Sequence, residues 1–174
     1  MIELSTEQMA AAMGAEVTSR GGGGVPVRGE IDSRKIDGGE LFFGLTGGSS
    51  DGGEHAATAI EAGAWGVVVT PKRAAGLDGT GAFVFASEDP LLSLQMLARD
   101  WRRELGSTVI GITGSVGKTS VKDITRALLP GQVQASAENF NTEIGLPLTI
   151  LGASAGTETL VLEMAMRGRG QIAE

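Results

Sequence analysis

The amino-acid sequence predicts an α/β fold with largely parallel sheets. Runs of β-branched and apolar residues alternate with segments of helical spacing along the whole chain of 174 residues. A glycine-rich stretch, GITGSVGKTS at 111–120, follows one of the strand-like runs and opens a helical pattern. Hydrophobic residues make up 41% of the chain, which is enough to build a substantial core.

The first part of the chain alternates between the two patterns. Ser5 and Gln8 fit a capping box, and the apolar residues after them have helical spacing. Asp89 and Pro90 are typical of a helix start, because an acidic N-cap precedes proline at the first helical position. Apolar residues line one face of this helix, which extends to residue 105: Leu94, Leu97, Ala98, Trp101 and Leu105. The segments between these two helices are predicted as strand, strand, helix, strand and strand: VPVRGEIDSR, ELFFGL, HAATAIEAG, AWGVVVT and AFVFAS.

The second part begins near Gly106. Its predicted elements are the strand STVIGIT, a helix carrying Val121, Ile124, Thr125 and Leu128 on one face, the strand QVQAS, the helix TEIGLPLTILG, the strand TLVLEM and a helix starting in RGQIAE. We therefore predict two α/β domains, 1–105 and 106–174. The second ends in the middle of its pattern, so we expect it to be the first part of a longer, truncated domain.

Composition excludes several classes of protein. The formal net charge is −7, from 14 Lys and Arg against 21 Asp and Glu, so the chain lacks the broad basic surface that nucleic-acid binding requires. There is no cysteine, which excludes disulfides and thiolate metal sites. No signal peptide and no apolar stretch of roughly 18 residues is visible. We expect a cytoplasmic, monomeric protein without a membrane span.

The glycine-rich stretch has the features of a phosphate-binding loop. It follows a strand and opens a helix, where backbone amides face an anion. Lys118 would reach the β- and γ-phosphates of ATP, and Thr119 would bind Mg²⁺. Glu163, at the end of TLVLE, is a candidate second magnesium ligand. The full phosphate-loop pattern has glycine where this chain has Ile112, so an ordinary glycine turn with a surface lysine remains an alternative for the loop. A plain strand-end glutamate remains an alternative for Glu163.

The order of several segments resembles the Mur ligase family. GITGSVGKTSVKDIT, AENFNTEIGLPLTIL and LVLEMAMRGRGQIAE look like the start of its central ATPase domain. IDSRKIDGGELFFGLTGGSSDG followed by AIEAGAWGVVV resembles its N-terminal, UDP-sugar-binding domain. The resemblance covers nearly the whole chain and implies a small UDP-substrate-binding α/β domain followed by the first part of a P-loop ATPase domain.

The resemblance implies a specific chemistry. Mur ligases use ATP and Mg²⁺ to convert a substrate carboxylate to an acyl phosphate, which an amine then attacks to form an amide. NFNTEIGLPLTIL and LEMAMRG favour the member that joins UDP-MurNAc-tripeptide to D-alanyl-D-alanine during peptidoglycan precursor synthesis. The family has three domains, so we expect this chain alone to bind the uridine nucleotide but to be inactive.

The family's functional residues carry over by position. The ATP loop would comprise Gly114, Ser115, Val116, Gly117, Lys118, Thr119 and Ser120, and the metal ligands would be Thr119 and Glu163. The catalytic residues would be Lys118, Asn139, Asn141 and Thr142. The UDP contacts would be Ser33, Arg34, Thr46 and Gly47. Residues of the type Asp-Ser-Arg at a strand end form a turn more often than a site. The family often has aspartate, glycine and histidine in succession, but Gly53 and Glu54 intervene before His55, which we interpret as a helix-start residue.

Three other functions remain open. The chain could belong to another ligase of this superfamily, which adds a diamino acid, lysine or glutamate. It could also be a non-catalytic nucleotide-binding module. A small P-loop kinase or GTPase would leave the roughly 105 residues before the loop without a role, and no guanine-reading motif is visible.

Overall fold

The chain folds into two sheets flanked by helices, and the predicted α/β class with parallel strands is confirmed. The computed structural model describes residues 2–48, 51–137 and 140–165. The helices there are α1 (Thr6–Met13), α2 (Ala56–Glu61), α3 (Pro71–Ala74), α4 (Pro90–Leu105), α5 (Lys118–Leu128) and α6 (Gly145–Leu151). The strands are β1 (Glu16–Ser19), β2 (Gly29–Glu30), β3 (Leu41–Phe43), β4 (Gly66–Val69), β5 (Phe83–Ala86), β6 (Thr108–Ile112), β7 (Val133–Ala135) and β8 (Thr159–Glu163). The helix predicted in RGQIAE lies outside the described residues.

The first sheet has the strand order β1-β5-β4-β3-β2. The strands β2 to β5 pair in parallel, whereas β1 pairs antiparallel with β5. All residues of β4 and β5 are buried, as parallel strands covered on both faces require. The sequence analysis did not predict β1, whose EVTS sequence has an exposed and half-buried alternation.

The second sheet consists of β6, β8 and β7 in that order, all parallel. The register pairs Ile112 at the end of β6 with Glu163 at the end of β8. The carboxyl ends of the three strands therefore meet at one edge of the sheet. In open parallel sheets this edge is where ligands bind.

Helix α4 connects the two sheets and contacts β3 and β4 of the first sheet as well as helix α6. Its N-cap Asp89 accepts hydrogen bonds from the backbone amides of Leu91 and Leu92, both at 3.0 Å, as the sequence predicted. At its other end the indole Nε1 of the buried Trp101 donates to the carbonyl of Ala153, at 3.1 Å. Residues of α4 and α6 share one apolar cluster with residues of the first sheet. The first sheet and the part of the chain that follows α4 are therefore joined by a continuous apolar core.

Helix α5 exposes its apolar side. Val121, Ile124 and Leu128 are all exposed, Leu128 by 79%, whereas Lys122 is only 3% exposed. The helix contacts β8 and β7 through the side that carries Lys122. The stripe of apolar residues that the sequence shows on this helix thus lies away from the sheet, and the side of the helix that faces the sheet carries Lys122.

Within the described parts of the chain, no helix has both the length and the hydropathy required to cross a membrane.

The Trp101 hydrogen bond should contribute measurably to stability. Trp101→Phe removes the donor and leaves the buried carbonyl of Ala153 without it, so we expect a loss of roughly 1–3 kcal/mol in the free energy of unfolding. Urea denaturation of the chain measures this loss. Leu92→Ala on the exposed side of the same helix is the matched control and should change stability much less. Equal effects of the two substitutions would contradict the role of Trp101.

Candidate nucleotide and substrate sites

The glycine-rich loop joins β6 to α5. Gly114 has a φ of 149° and Gly117, the N-cap of α5, has a φ of 81°, both in the region that favours glycine. Helix α5 begins at Lys118 and has no acidic residue in its first turn. Its free backbone amides and the positive end of its dipole therefore favour an anion next to the loop.

The side chain of Lys118 folds back over the loop that precedes it. Its Nζ donates to the carbonyl of Gly114 at 2.8 Å. The ammonium group thus lies beside the backbone amides of the loop rather than extending into solvent. This is the position in which a lysine adds its charge to an anion bound by the loop.

Glu163 is the centre of a hydrogen-bonded group at the carboxyl ends of the strands. Its carboxylate is 7% exposed and accepts from Thr119 Oγ1 at 3.0 Å and from Asn141 Nδ2 at 3.1 Å. Its backbone amide donates to Ser136 Oγ at 3.1 Å. Thr119 and Asn141 therefore meet at the carboxylate of Glu163, and Ser136 meets its backbone amide.

The pair formed by Thr119 and Glu163 fits a magnesium ion. Octahedral Mg²⁺ has oxygen ligands at about 2.1 Å, so two adjacent ligands lie about 3.0 Å apart. The observed Thr119 Oγ1–Glu163 Oε2 distance is 3.0 Å. The described residues contain no cluster of three or more acidic or histidine side chains able to hold a metal. The donor set suits an ion that keeps several waters and binds phosphate, as Mg²⁺ does.

The remaining residues of the predicted nucleotide and catalytic set have different surroundings. Val116 is 90% exposed, and Ser115 and Ser120 are also exposed. Thr142 Oγ1 accepts from the backbone amides of Ile144 and Gly145 at 3.4 and 3.3 Å, which is a helix-start role. Asn139 lies outside the described residues.

Ser33 and Arg34 follow β2 at the carboxyl edge of the first sheet. Asp32 caps a 3₁₀ turn, Ser33–Lys35, and its Oδ1 accepts from the backbone amide of Arg34. The guanidinium of Arg34 also binds Asp32 through two parallel hydrogen bonds, Nε–Oδ1 and Nη2–Oδ2, each 2.8 Å long. The side chain of Arg34 is nevertheless 86% exposed, so its outer face is accessible to a ligand.

Asp32 is strongly acidic for this reason. The side-chain hydrogen bond from Arg34 is the largest cause, the backbone hydrogen bond from Arg34 is the second, and together they lower the pKa of Asp32 from 3.8 to about 2. The ion pair therefore contributes above pH 3.8 and is lost as the pH falls through the pKa near 2.

Thr46 and Gly47 lie three and four residues beyond β3, at the same edge of the sheet. Both are exposed, and Thr46 forms an isolated antiparallel bridge with Asp51. His55 is exposed and immediately precedes α2, in agreement with its interpretation as a helix-start residue. The loops after β2 and β3 thus present Ser33, Arg34, Thr46 and Gly47 along one edge.

A cleft of about 300 Å³ lies between the two units. Arg28, Glu30 and Lys35 line it from the first sheet, and Gln134 and Phe140 line it from the second. The glycine-rich loop does not line this cleft. The cavity and the anion-binding loop are therefore separate features of the surface.

Two polar residues in these sites were not predicted from the sequence. Ser136 follows β7 and contacts Glu163, and Arg73 in α3 contacts Asp51 and Glu54. Ser136 could have been found as a polar residue directly after a strand of the same sheet. No sequence signal connects Arg73 with residues that lie about twenty positions earlier.

Comparison with known proteins agrees with this geometry. A strand, a glycine-lysine loop, a helix and an acidic residue at the end of the neighbouring strand are the arrangement typical of P-loop nucleotide-binding proteins. Residues 112–174 match the Mur ligase middle domain. The sequence matches and the fold together place the chain in the Mur ligase family.

Relatives and solved structures resemble the chain over most of its length. It is 44% identical to the UDP-N-acetylmuramoyl-tripeptide–D-alanyl-D-alanine ligase of Synechocystis sp., over 82% of the chain and 31% of that protein. It is 39% identical to the ligase of the same name from Mycobacterium bovis, over 99% of the chain and 39% of that protein. The crystal structure of MurF ligase from Thermotoga maritima in complex with ADP matches with a TM-score of 0.69 and 35% identity, over 84% of the chain and 34% of that protein. The chain therefore spans about a third of the length of the relatives it matches.

The acidity of Asp32 can be measured directly. Arg34→Met removes the largest cause of the low pKa but keeps the backbone amide, so the pKa of Asp32 should rise from about 2 towards 3.8 without fully reaching it. NMR titration of the carboxyl carbon measures this change. Lys35→Met is the matched control, because Lys35 makes only a small coulombic contribution. A larger change in the pKa of Asp32 in the Lys35 variant than in the Arg34 variant would contradict the ion pair between Asp32 and Arg34.

Proposed function

We propose that this chain supplies the UDP-substrate unit and the ATP-binding loop of an ATP-dependent ligase. The ligase joins D-alanyl-D-alanine to UDP-MurNAc-tripeptide in cytoplasmic peptidoglycan precursor synthesis. The observation that carries the proposal is the contact between Thr119 on the loop helix and Glu163 on the neighbouring strand. Similarity to relatives with this activity, at 39% and 44% identity, supports the choice of substrates.

The proposed division of labour follows the two sheets. Residues 1–105 form the UDP-substrate unit, in which Ser33, Arg34, Thr46 and Gly47 contact the uridine nucleotide. Residues 106–174 form the start of the ATPase domain, in which 114–120 bind ATP. The carboxyl edges of both sheets carry these residues, as is general for ligand sites on parallel sheets.

Each polar group near the loop has a definable task in this reaction. The loop amides and Lys118 bind the β- and γ-phosphates and stabilise the charge that develops during phosphoryl transfer to the substrate carboxylate. Thr119 and Glu163 hold Mg²⁺, which supplies further neutralisation of the phosphates when bound. Asn141 orients the carboxylate of Glu163 by donating a hydrogen bond to Oε1, the oxygen that Thr119 does not contact. The acyl phosphate formed is then attacked by the amine of D-alanyl-D-alanine, with release of phosphate.

Lys118→Ala tests the loop in a polypeptide of the relatives' length that contains this chain. Loss of the ammonium group should lower turnover by roughly 10³-fold, because it removes electrostatic stabilisation of the transferring phosphoryl group. Phosphate release dependent on UDP-MurNAc-tripeptide and D-alanyl-D-alanine measures the activity. Arg126→Ala is the matched control, because it removes an exposed cation from the same helix.

Two results would contradict the proposal. Near-normal turnover in the folded Lys118 variant would show that the loop does not bind the reacting phosphates. Turnover with a diamino acid, lysine or glutamate in place of D-alanyl-D-alanine would assign the chain to another ligase of the superfamily.

Glu163→Gln tests the magnesium site by binding alone. The substitution removes the negative charge from the donor pair, so the Mg²⁺ concentration for half-maximal enhancement of ADP binding should rise about tenfold. Calorimetric titration of ADP at a series of Mg²⁺ concentrations measures it. Glu158→Gln, just before the other end of β8, is the matched control and should leave the Mg²⁺ dependence unchanged. An unchanged dependence in the Glu163 variant would make this residue an ordinary strand-end acid.

A further inference from the structure

Arg73 joins helix α3 to the loop after β3 at the carboxyl edge of the first sheet. It lies in α3, directly after β4, and its Nε binds Asp51 Oδ2 at 2.7 Å. Its Nη2 binds Glu54 Oε1 at 2.6 Å. The side chain is 30% exposed, so this double ion pair is partly protected from solvent. One guanidinium thus holds two carboxylates that belong to the loop after β3.

These carboxylates belong to the Thr46 segment, which we define as residues 44–48 and 51–54. Asp51 Oδ1 also accepts from the backbone amide of Gly53 at 3.0 Å. Asp51 forms the bridge with Thr46, and the amide of Gly52 donates to the carbonyl of Leu45 at 2.9 Å. The two parts of the segment, 44–48 and 51–54, are therefore bound to each other at Asp51, the residue that Arg73 contacts.

The backbone of the segment is packed tightly at this place. A Cβ added to Gly53 would lie 2.9 Å from Arg73 Cγ and 3.0 Å from Asp51 Oδ1. A Cβ added to Gly44 would lie 2.8 Å from the Cα of Gly53. The close approach of Gly44 and Gly53 leaves no room for a side chain at either position. The segment is thus held by shape as well as by charge.

We propose that Arg73 is a positioning residue that fixes the Thr46 segment for binding of the uridine nucleotide. This inference rests on the proposed function, because Thr46 and Gly47 contact the UDP moiety there. Arg73 acts through Asp51 and does not itself touch the ligand. A planar guanidinium suits this task, because it can bind two carboxylates in fixed directions whereas an ammonium group cannot.

The ion pair also acts on the acidity of its partner. The hydrogen bond from Arg73 is the largest cause that lowers the pKa of Asp51 below 3.8. Asp51 is therefore ionised throughout the neutral range, so a change of pH near 7 does not titrate this contact.

Calorimetric titration with UDP and with ADP tests the proposal on the 174-residue chain. Arg73→Met should weaken UDP binding about tenfold, because a loop that is no longer held presents its contacts in fewer productive arrangements. ADP binding should stay unchanged, because the nucleotide loop lies on the other sheet. Arg73→Lys keeps the charge without the planar fork and should show most of the loss. Arg20→Met is the matched control, because it removes the exposed Arg20–Glu7 ion pair after the opposite edge strand.

Amide hydrogen exchange of Gly53 separates this proposal from the proposed function. The exchange should become faster in Arg73→Met and stay unchanged in Arg20→Met, whether or not UDP is present. Unchanged UDP affinity in Arg73→Met, or full affinity in Arg73→Lys, would overturn the positioning role. If the unsubstituted chain did not bind UDP, the proposed UDP site would fail and with it the ligand named here. Unchanged exchange at Gly53 in Arg73→Met would overturn the claim that Arg73 holds the segment.

Discussion

The parallel pairing of β6 with β8 is the constraint on which the candidate nucleotide site depends. Its register places the end of β6, where the glycine-rich loop begins, beside Glu163. The loop then returns the chain into α5 so that Thr119 reaches the same carboxylate. A shift of one residue in this pairing would turn the Glu163 side chain to the other face of the sheet and would separate the two groups.

The contact between Thr119 and Glu163 also explains why α5 buries a lysine and exposes its apolar residues. Lys118 must face the loop and Thr119 must face Glu163, which fixes the rotation of the helix. Lys122 is four residues beyond Lys118 and three beyond Thr119, so helical periodicity places it on the same side. The stripe that includes Leu128 is then directed away from the sheet. The rotation of the helix set by these two contacts therefore directs its apolar stripe away from the three strands β6, β7 and β8.

Parts of this structure were predictable because their signals are local. The start of α4 follows from Asp89 and Pro90, and the loop with Lys118 and Thr119 follows from adjacent residues. Strand β1 was missed because its four residues gain their structure from pairing with β5, far along the chain. The link from Arg73 to Asp51 was missed for a similar reason, since it depends on which strand ends are neighbours. Thr142, predicted from the resemblance as a cleft residue, has its side chain engaged with backbone amides.

The two sheets prepare their ligand edges by different electrostatic means. In the first sheet the carboxylates of Asp32 and Asp51 are already paired with arginines, so their charge is compensated. In the second sheet Glu163 is buried, and the side chains that the structure describes as its donors, Thr119 and Asn141, are neutral. A charged carboxylate that is buried with only neutral hydrogen-bond donors around it is costly in isolation. Such a charge favours a cation at the same place, and it makes Glu163 the group that would draw Mg²⁺ to the loop, whereas Asp32 and Asp51 each have an arginine as partner.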